Sequence, residues 1–205
     1  MNRTRTLLRL ARLVSQIFTP HYIPVAAYAL LLTLTYMAQL PLGFRAAMLA
    51  VVWFFAVLLP RTLVRIYLRT QGLRARDLTV RRRRFVPYAI AAASYGALLY
   101  LVQTLMMPRF LASVAVGAMA VVAVCALVNF SYKVSTHAAA TGGAAGLLMG
   151  LSLLYSFEAT GWLCLTVLVC GLVCTARVVL RQHTLGQVGL GALLGFVAVL
   201  VGTLV

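Results

Sequence analysis

The chain is a succession of apolar stretches, each close to the length that a helix needs to cross a bilayer. A transmembrane helix takes about 20 predominantly apolar residues, and such stretches occur at about 22–40, 44–64, 87–107, 110–130, 138–157, 160–178 and 185–204. Hydrophobic residues make up 63% of the 205 residues, against roughly 45–50% in soluble domains. The sequence therefore predicts an all-α integral membrane protein, a bundle of about six to seven transmembrane helices.

Residues 1–21 precede these stretches and have a different pattern. Arg5, Arg9 and Arg12 fall on one face of a helix, and apolar side chains fall on another. A helix of this kind suits the interface of a membrane that contains anionic lipid. We therefore expect two parts, an interfacial amphipathic helix at 1–21 and a single transmembrane domain at 22–205.

The net charge of +16 would suggest nucleic-acid binding in a soluble protein, but here the side on which the charges lie matters more. When the loops are assigned to alternate sides, 16 of the 18 Lys and Arg residues share one side, and only Arg45 and Arg109 lie on the other. By the positive-inside rule the N-terminus is cytoplasmic and the C-terminus outside. We expect a multi-pass protein of the bacterial inner (cytoplasmic) membrane, with membrane lipids and not nucleic acid as partners.

Four cysteines lie within the apolar runs, at Cys125, Cys164, Cys170 and Cys174. They show no Cys-x-x-Cys spacing, and no histidine lies in the same run at ligand spacing. We interpret them as small buried hydrophobic residues and predict neither a metal site nor a disulfide.

Glycines repeat every four residues in two of the apolar runs, at Gly142, Gly146 and Gly150 and again at Gly191 and Gly195. Small residues at this spacing let helices approach closely in lipid. We interpret these glycines as helix-packing positions and not as phosphate-binding residues.

Three polar segments between apolar runs fall on the predicted cytoplasmic side: 77–84, 133–137 and 176–187. The third has Arg177 and His183 six residues apart, in a chain with three histidines and two acidic residues. Arginine binds phosphate through paired charge-assisted hydrogen bonds. Histidine serves as nucleophile or acid near neutral pH. We expect the three segments to converge on one phosphate site.

These segments resemble, in divergent form, the three motifs of the type-2 phosphatidic-acid phosphatase superfamily: Lys-x6-Arg-Pro, Pro-Ser-Gly-His and Ser-Arg-x5-His-x3-Asp. The resemblance implies that His183 attacks phosphorus to form a phosphohistidine, and that His137 protonates the leaving oxygen before it activates water. It also implies that Arg84, Arg177 and Ser135 bind the phosphate. No cofactor and no metal is implied.

Several positions depart from the family pattern, and two of them bear directly on the chemistry. Gln187 stands where the family has a carboxylate, and an amide orients the imidazole without stabilising its positive charge. In a serine protease the comparable Asp-to-Asn change costs about 10⁴ in rate. In the first motif, Arg84 as the arginine puts Asp77 at the lysine position. Asp77 either replaces the missing carboxylate or pairs with neighbouring arginines, and we favour the pairing.

The first motif also has a second register, one residue earlier, with Arg76 and Arg83 as its lysine and arginine equivalents. We favour the register of Arg84, and the second stays open. Lys133, just before the second motif, is a further candidate member of the site.

The resemblance implies a membrane-embedded lipid phosphate phosphatase that hydrolyses a phosphomonoester or pyrophosphate at the cytoplasmic face, or a phosphotransferase that passes the phosphoryl group to an alcohol instead of water. The alternative is a catalytically degenerate relative that binds anionic lipid head groups without turnover. A transporter has little support, because no charged residue lies deep within an apolar run.

Overall fold

The computed structural model describes residues 2–74, 77–78, 80–156 and 158–204, with side chains from residue 5 onward. The helices in this part of the chain are α1 (Asn2–Ile17), α2 (Tyr22–Leu34), α3 (Leu42–Trp53), α4 (Leu59–Thr70), α5 (Phe85–Thr104), α6 (Arg109–Val128), α7 (Thr136–Tyr155), α8 (Thr160–Val179) and α9 (Leu185–Leu204).

Six helical segments are long and apolar enough to cross a membrane, which indicates a membrane protein and confirms the predicted helical class. Helices satisfy their own backbone hydrogen bonds and are therefore stable in lipid. Among the described residues the six are Leu42–Thr70, Arg81–Thr104, Arg109–Val128, Thr136–Tyr155, Thr160–Val179 and Leu185–Leu204.

The segment Leu42–Thr70 is longer than the predicted stretch at 44–64. Its 29 residues correspond to about 43 Å of helix, more than the roughly 30 Å of a bilayer's hydrocarbon core. It contains α3, a π-helical turn at Phe54–Leu58 and α4. The basic residues of α4 therefore lie beyond the apolar part of the segment.

Pro60 leaves one carbonyl group of this long helix without its usual hydrogen bond, and His21 contacts that group. Proline has no N–H, so it cannot donate to the carbonyl of Ala56 one turn earlier. His21 Nδ1 lies 3.1 Å from that carbonyl oxygen. His21, which lies outside all three polar segments, thus contacts the carbonyl group that the proline leaves free.

The predicted first span, 22–40, is shorter in the structure. Helix α2 ends at Leu34, and Thr35 accepts a hydrogen bond from the Met37 N–H as it begins a 3₁₀ turn at Tyr36–Gln39. The two parts Arg5–Ile17 and Tyr22–Leu34 are bent by 62° and together count as one further candidate span. Helix α1 packs along α8, whereas α2 packs against α3, α6 and α7.

Helices α7 and α9 form the closest pair in the bundle, as the glycine repeats predicted. A methyl group at Gly142 would overlap the carbonyl oxygen of Ala192, and one at Gly195 would overlap that of Ala139. The contact between Gly146 and Phe196 follows one turn later. The contacts run from Ser135 and Gly191 at one end to Gly150 and Thr203 at the other, so the two helices are parallel and their N-terminal ends lie side by side.

The interpretation of the cysteines needs correction. Cys125 on α6 is buried, but Cys164 on α8 is exposed, and Cys170 and Cys174 are half-buried. Most of α8 lies on the outside of the bundle, so an apolar sequence there marks a surface suited to lipid and not an interior.

Candidate functional site

The three predicted segments meet at one end of the bundle. The Arg81 guanidinium donates through Nη1 to the Ser131 carbonyl oxygen at 2.6 Å, which joins the first segment to the loop before α7. The Lys133 ammonium donates to the Gln182 carbonyl oxygen at 3.2 Å, which joins that loop to the one before α9. The convergence expected from the charge distribution is therefore present.

Arg177, near the end of α8, belongs to a cluster of basic residues and histidines at this end of the bundle. The other members of the cluster are Arg84, Lys133, His137 and His183. Its Nη1 donates a 2.9 Å hydrogen bond to the Ser15 hydroxyl of α1. Its Nε is buried and has no hydrogen-bond partner among the described residues. Its charge acts on both His137 and His183. Arg177 therefore combines a spare donor with an electrostatic effect on both histidines.

Arg84, directly before α5, is the arginine of the first segment that reaches the cluster. Its Nε donates to the Leu78 carbonyl oxygen at 2.7 Å, which fixes the side chain. Its charge acts on Lys133, Arg177 and His183. The register of the first motif stays a prediction.

Asp77 makes its contacts with arginines and not with the histidines. Its Oδ2 accepts a hydrogen bond from the Arg74 N–H at 2.7 Å and lies 3.8 Å from Arg83 Nη1. This is the pairing that the sequence favoured, and it also occupies Arg83. Arg76, the other member of the second register, lies outside the described residues.

His183 lies in the loop before α9 and is held by Gln187. Its Nδ1 is 3.1 Å from Gln187 Oε1, and only 9% of the residue's surface is exposed. Burial lowers the pKa of His183 to about 4, with a further contribution from the charge of Arg177. The imidazole is therefore neutral at pH 7.

His137 lies in the first turn of α7. Its Nδ1 is buried without a partner among the described side chains and backbone groups, and its ring is close to the backbone of Ser15. His137 and His183 act electrostatically on each other. The two histidines thus belong to one cluster at the same end of parallel helices.

Ser135 is fully buried and serves as the N-cap of α7. Its hydroxyl accepts a 3.4 Å hydrogen bond from the Ala138 N–H, and its own N–H donates to the Gln187 carbonyl oxygen at 3.3 Å. The residue ties the starts of α7 and α9 together beneath the site. Its phosphate-binding role stays a prediction.

The cluster carries positive charge that no acidic side chain offsets. Burial, together with the charges of Arg84 and Arg177, lowers the pKa of Lys133. The two acidic residues of the chain are Asp77, paired as above, and Glu158, which lies beyond the opposite end of α7. The starts of α7 and α9 add the positive ends of two helix dipoles. An anion at this position would relieve the mutual repulsion.

An apolar groove leads away from this end of the bundle, between α2, α7 and α8. It has a volume of about 370 Å³. Ile17 and Phe18 line one end, Ala144 the middle and Trp162 the far end. Thr141 also lines it and donates to the His137 carbonyl oxygen at 3.1 Å. The groove thus begins one helical turn from a predicted catalytic residue.

Sequence reasoning missed two residues of this site. Ser15 is 162 residues from its partner Arg177, and no local pattern identifies such a pair. Thr184 could have been identified from the sequence, because Thr184-Leu185-Gly186-Gln187 has the form of a capping box just before an apolar run.

No protein-family model, no curated protein and no solved structure matches this chain. The resemblance to the phosphatase superfamily rests on the motif residues alone.

Proposed function

We propose that the chain is a membrane-embedded lipid phosphate phosphatase, a divergent member of the type-2 phosphatidic-acid phosphatase superfamily. The observation that carries the proposal is the convergence of Arg84, His137, Arg177 and His183 at the end where α7 and α9 begin side by side. These are the residues that the resemblance assigns to phosphate binding and to catalysis.

In the proposed reaction His183 Nε2 attacks phosphorus, forming an N–P bond as the bond to the leaving oxygen breaks. His137, in the protonated form that the bound phosphate anion favours, donates a proton to that oxygen and becomes neutral. Water then attacks phosphorus, gives a proton to His137 and displaces His183, which releases phosphate and returns both histidines to their starting states. Arg84 and Arg177 hold the phosphoryl oxygens and stabilise their charge throughout.

The apolar groove supports a lipid as the substrate. Its lining runs from Thr141 to Leu151 along α7, about 15 Å of helix. A hydrocarbon chain in this groove would leave a phosphorylated head group at the basic end.

The basic end is proposed to face the cytoplasm, in the bacterial inner membrane, with α9 ending outside. The distribution of Lys and Arg supports this orientation. Helix α1 is proposed to lie at the interface, because Leu7, Leu10 and Ile17 are 59%, 53% and 61% exposed although they are apolar.

A degenerate relative that binds anionic head groups without turnover is the second candidate. One observation favours it: the contact of His183 Nδ1 is with the amide of Gln187 and not with a carboxylate. Such a protein would retain the anion site and the groove but would not stabilise the charged imidazole of a phosphohistidine.

Phosphate release by the purified protein in detergent tests the proposal, with phosphatidic acid and a polyprenyl pyrophosphate as substrates. We expect His183→Ala to abolish release and to prevent trapping of an acid-labile phosphoprotein. Gln182→Ala is the matched control, because Gln182 is the exposed preceding residue and contributes its backbone carbonyl, not its side chain.

Equal turnover by the wild type and His183→Ala would reject the phosphohistidine mechanism. Absent hydrolysis with lipid binding that is lost in Arg177→Ala would select the second candidate. Arg181→Ala, an exposed arginine in the same loop, controls for the loss of one positive charge.

A further inference from the structure

We infer that the capping box of α9 sets the tautomer of His183, with Thr184 as a positioning residue that acts through Gln187, so that Nδ1 carries the proton and Nε2 presents a lone pair. The role of this lone pair as a nucleophile rests on the proposed function; the tautomer itself does not.

The inference begins with one atom of the Gln187 side chain that has two neighbours. The Thr184 backbone N–H donates to it at 3.3 Å, and His183 Nδ1 lies 3.1 Å away on its other side. A backbone N–H can only donate, so the shared atom must be the amide oxygen and not the amide nitrogen. His183 Nδ1 then faces an acceptor and must itself be the donor.

The cap holds the amide in this orientation. The Gln187 N–H donates to the Thr184 hydroxyl at 3.4 Å while the Gln187 side chain accepts from the Thr184 N–H. These reciprocal bonds are those of a capping box, which satisfies two N–H groups of the first helical turn. Rotating the amide would leave the Thr184 N–H without its acceptor and place two donors together.

The consequence for His183 is a neutral ring with a defined direction. The two nitrogens lie on different edges of the imidazole, so a proton on Nδ1 leaves Nε2 unprotonated and directed away from Gln187. An amide cannot take up the Nδ1 proton, so the proton stays on the ring when Nε2 reacts. The cap therefore supplies the orienting function of the family's carboxylate but not its negative charge.

The groups that face His183 agree with a neutral ring. Arg177 from α8, Lys133 from the loop before α7 and Arg84 from the start of α5 are all cationic and disfavour a second proton on it. His137 from α7 is close as well. The surrounding cations keep the ring neutral, with one proton. For Nε2 to attack, that proton must also lie on Nδ1.

Nitrogen-15 NMR of the full chain in detergent, labelled at histidine and compared with His183→Asn to identify the resonances, tests the inference. At pH 7 we expect Nε2 of His183 to be unprotonated and Nδ1 to carry the proton. Gln187→Met removes the acceptor at similar size, and Thr184→Val removes the hydroxyl that accepts from the Gln187 N–H. We expect the two tautomers to mix in both variants, and more in Gln187→Met. Gln187→Glu should keep the proton on Nδ1 and raise the pKa of His183.

A proton on Nε2 in the wild type, or an unchanged tautomer in Gln187→Met, would overturn the inference. Phosphate release supplies a separate readout, which should fall by about 10²-fold or more in Gln187→Met. The NMR result does not depend on turnover. A wild type with the expected tautomer and no hydrolysis would therefore count against the proposed function while supporting the assignment of the proton.

Discussion

The guanidinium of Arg177 donates a 2.9 Å hydrogen bond to the hydroxyl of Ser15, 162 residues earlier in the chain. This bond fastens α1 to α8 at the basic end of the bundle and occupies one of the five donors of the arginine. The N-terminal helix is thus a wall of the candidate site as well as a basic surface segment.

Ser15→Ala should destabilise the protein. A hydrogen bond to a charged group contributes about 1.5–3 kcal/mol, so we expect a loss of about 2 kcal/mol in the free energy of unfolding, measured in detergent. Ser94→Ala is the control, because that hydroxyl bonds the Ile90 carbonyl of its own helix at 2.8 Å. Equal losses in both variants would show that the bond between α1 and α8 contributes no extra stability.

Gly195→Ala should separate α7 from α9. The new methyl would overlap the Ala139 carbonyl oxygen, and overpacking of this kind costs about 1–3 kcal/mol. We expect a lower melting temperature together with loss of phosphate binding, because the starts of both helices form the site. Gly189→Ala on the same helix meets nothing within 4 Å and should be neutral or slightly stabilising. A stable, binding-competent Gly195→Ala would contradict the packing argument.

Stability should fall on acidification through His183. Its pKa is lowered from 6.5 to about 4, so the unfolded chain takes up a proton at higher pH than the folded chain does. The stabilisation is complete above about pH 6.5 and is lost as the pH falls to 4. We expect melting temperatures measured across this window to fall less steeply in His183→Asn than in the wild type. Parallel curves would mean that His183 does not contribute.

Arg177→Lys should weaken phosphate binding although it keeps the charge. Lysine lacks the planar fork of donors, and loss of one charge-assisted hydrogen bond, about 1.5–3 kcal/mol, corresponds to a rise of roughly 10–100-fold in the Kd for inorganic phosphate. Calorimetry measures this affinity. Arg181→Lys, in the exposed loop, should leave the affinity unchanged. An equal effect of both substitutions would point to general charge and not to a shaped site.

Reporter fusions test the proposed orientation. Alkaline phosphatase, which is active only outside the cytoplasm, should be inactive when fused after Gly72 and active after Met106, an exposed residue between α5 and α6. The reverse pattern would place the basic cluster outside.

Much of the architecture follows from local sequence. Runs of about 20 apolar residues predict the helices, and alternation of sides predicts that Lys133, Arg177 and the arginines at 81–84 share one end. The repeat of Gly142 and Gly146 predicts that this helix packs closely against a neighbour, although it does not identify the neighbour. Each of these features depends on residues that are near one another along the chain.

The features that the sequence did not reveal depend on contacts between distant residues. Helix α2 ends at Leu34, within a predicted span, and His21 reaches the carbonyl that Pro60 leaves free. Cys164 is exposed because α8 lies at the edge of the bundle. Helical periodicity does not predict these contacts, because it describes one helix and contains no information about the helices that pack against it.

The uncompensated positive charge of the cluster has a consequence for any turnover that takes place there. Orthophosphate presents the same kind of anionic oxygens as the head group of a phosphomonoester, so Arg84, Arg177 and Lys133 would hold the product as well as the substrate. Inorganic phosphate in the surrounding medium would then compete with the lipid for these cations, and added salt would weaken its binding.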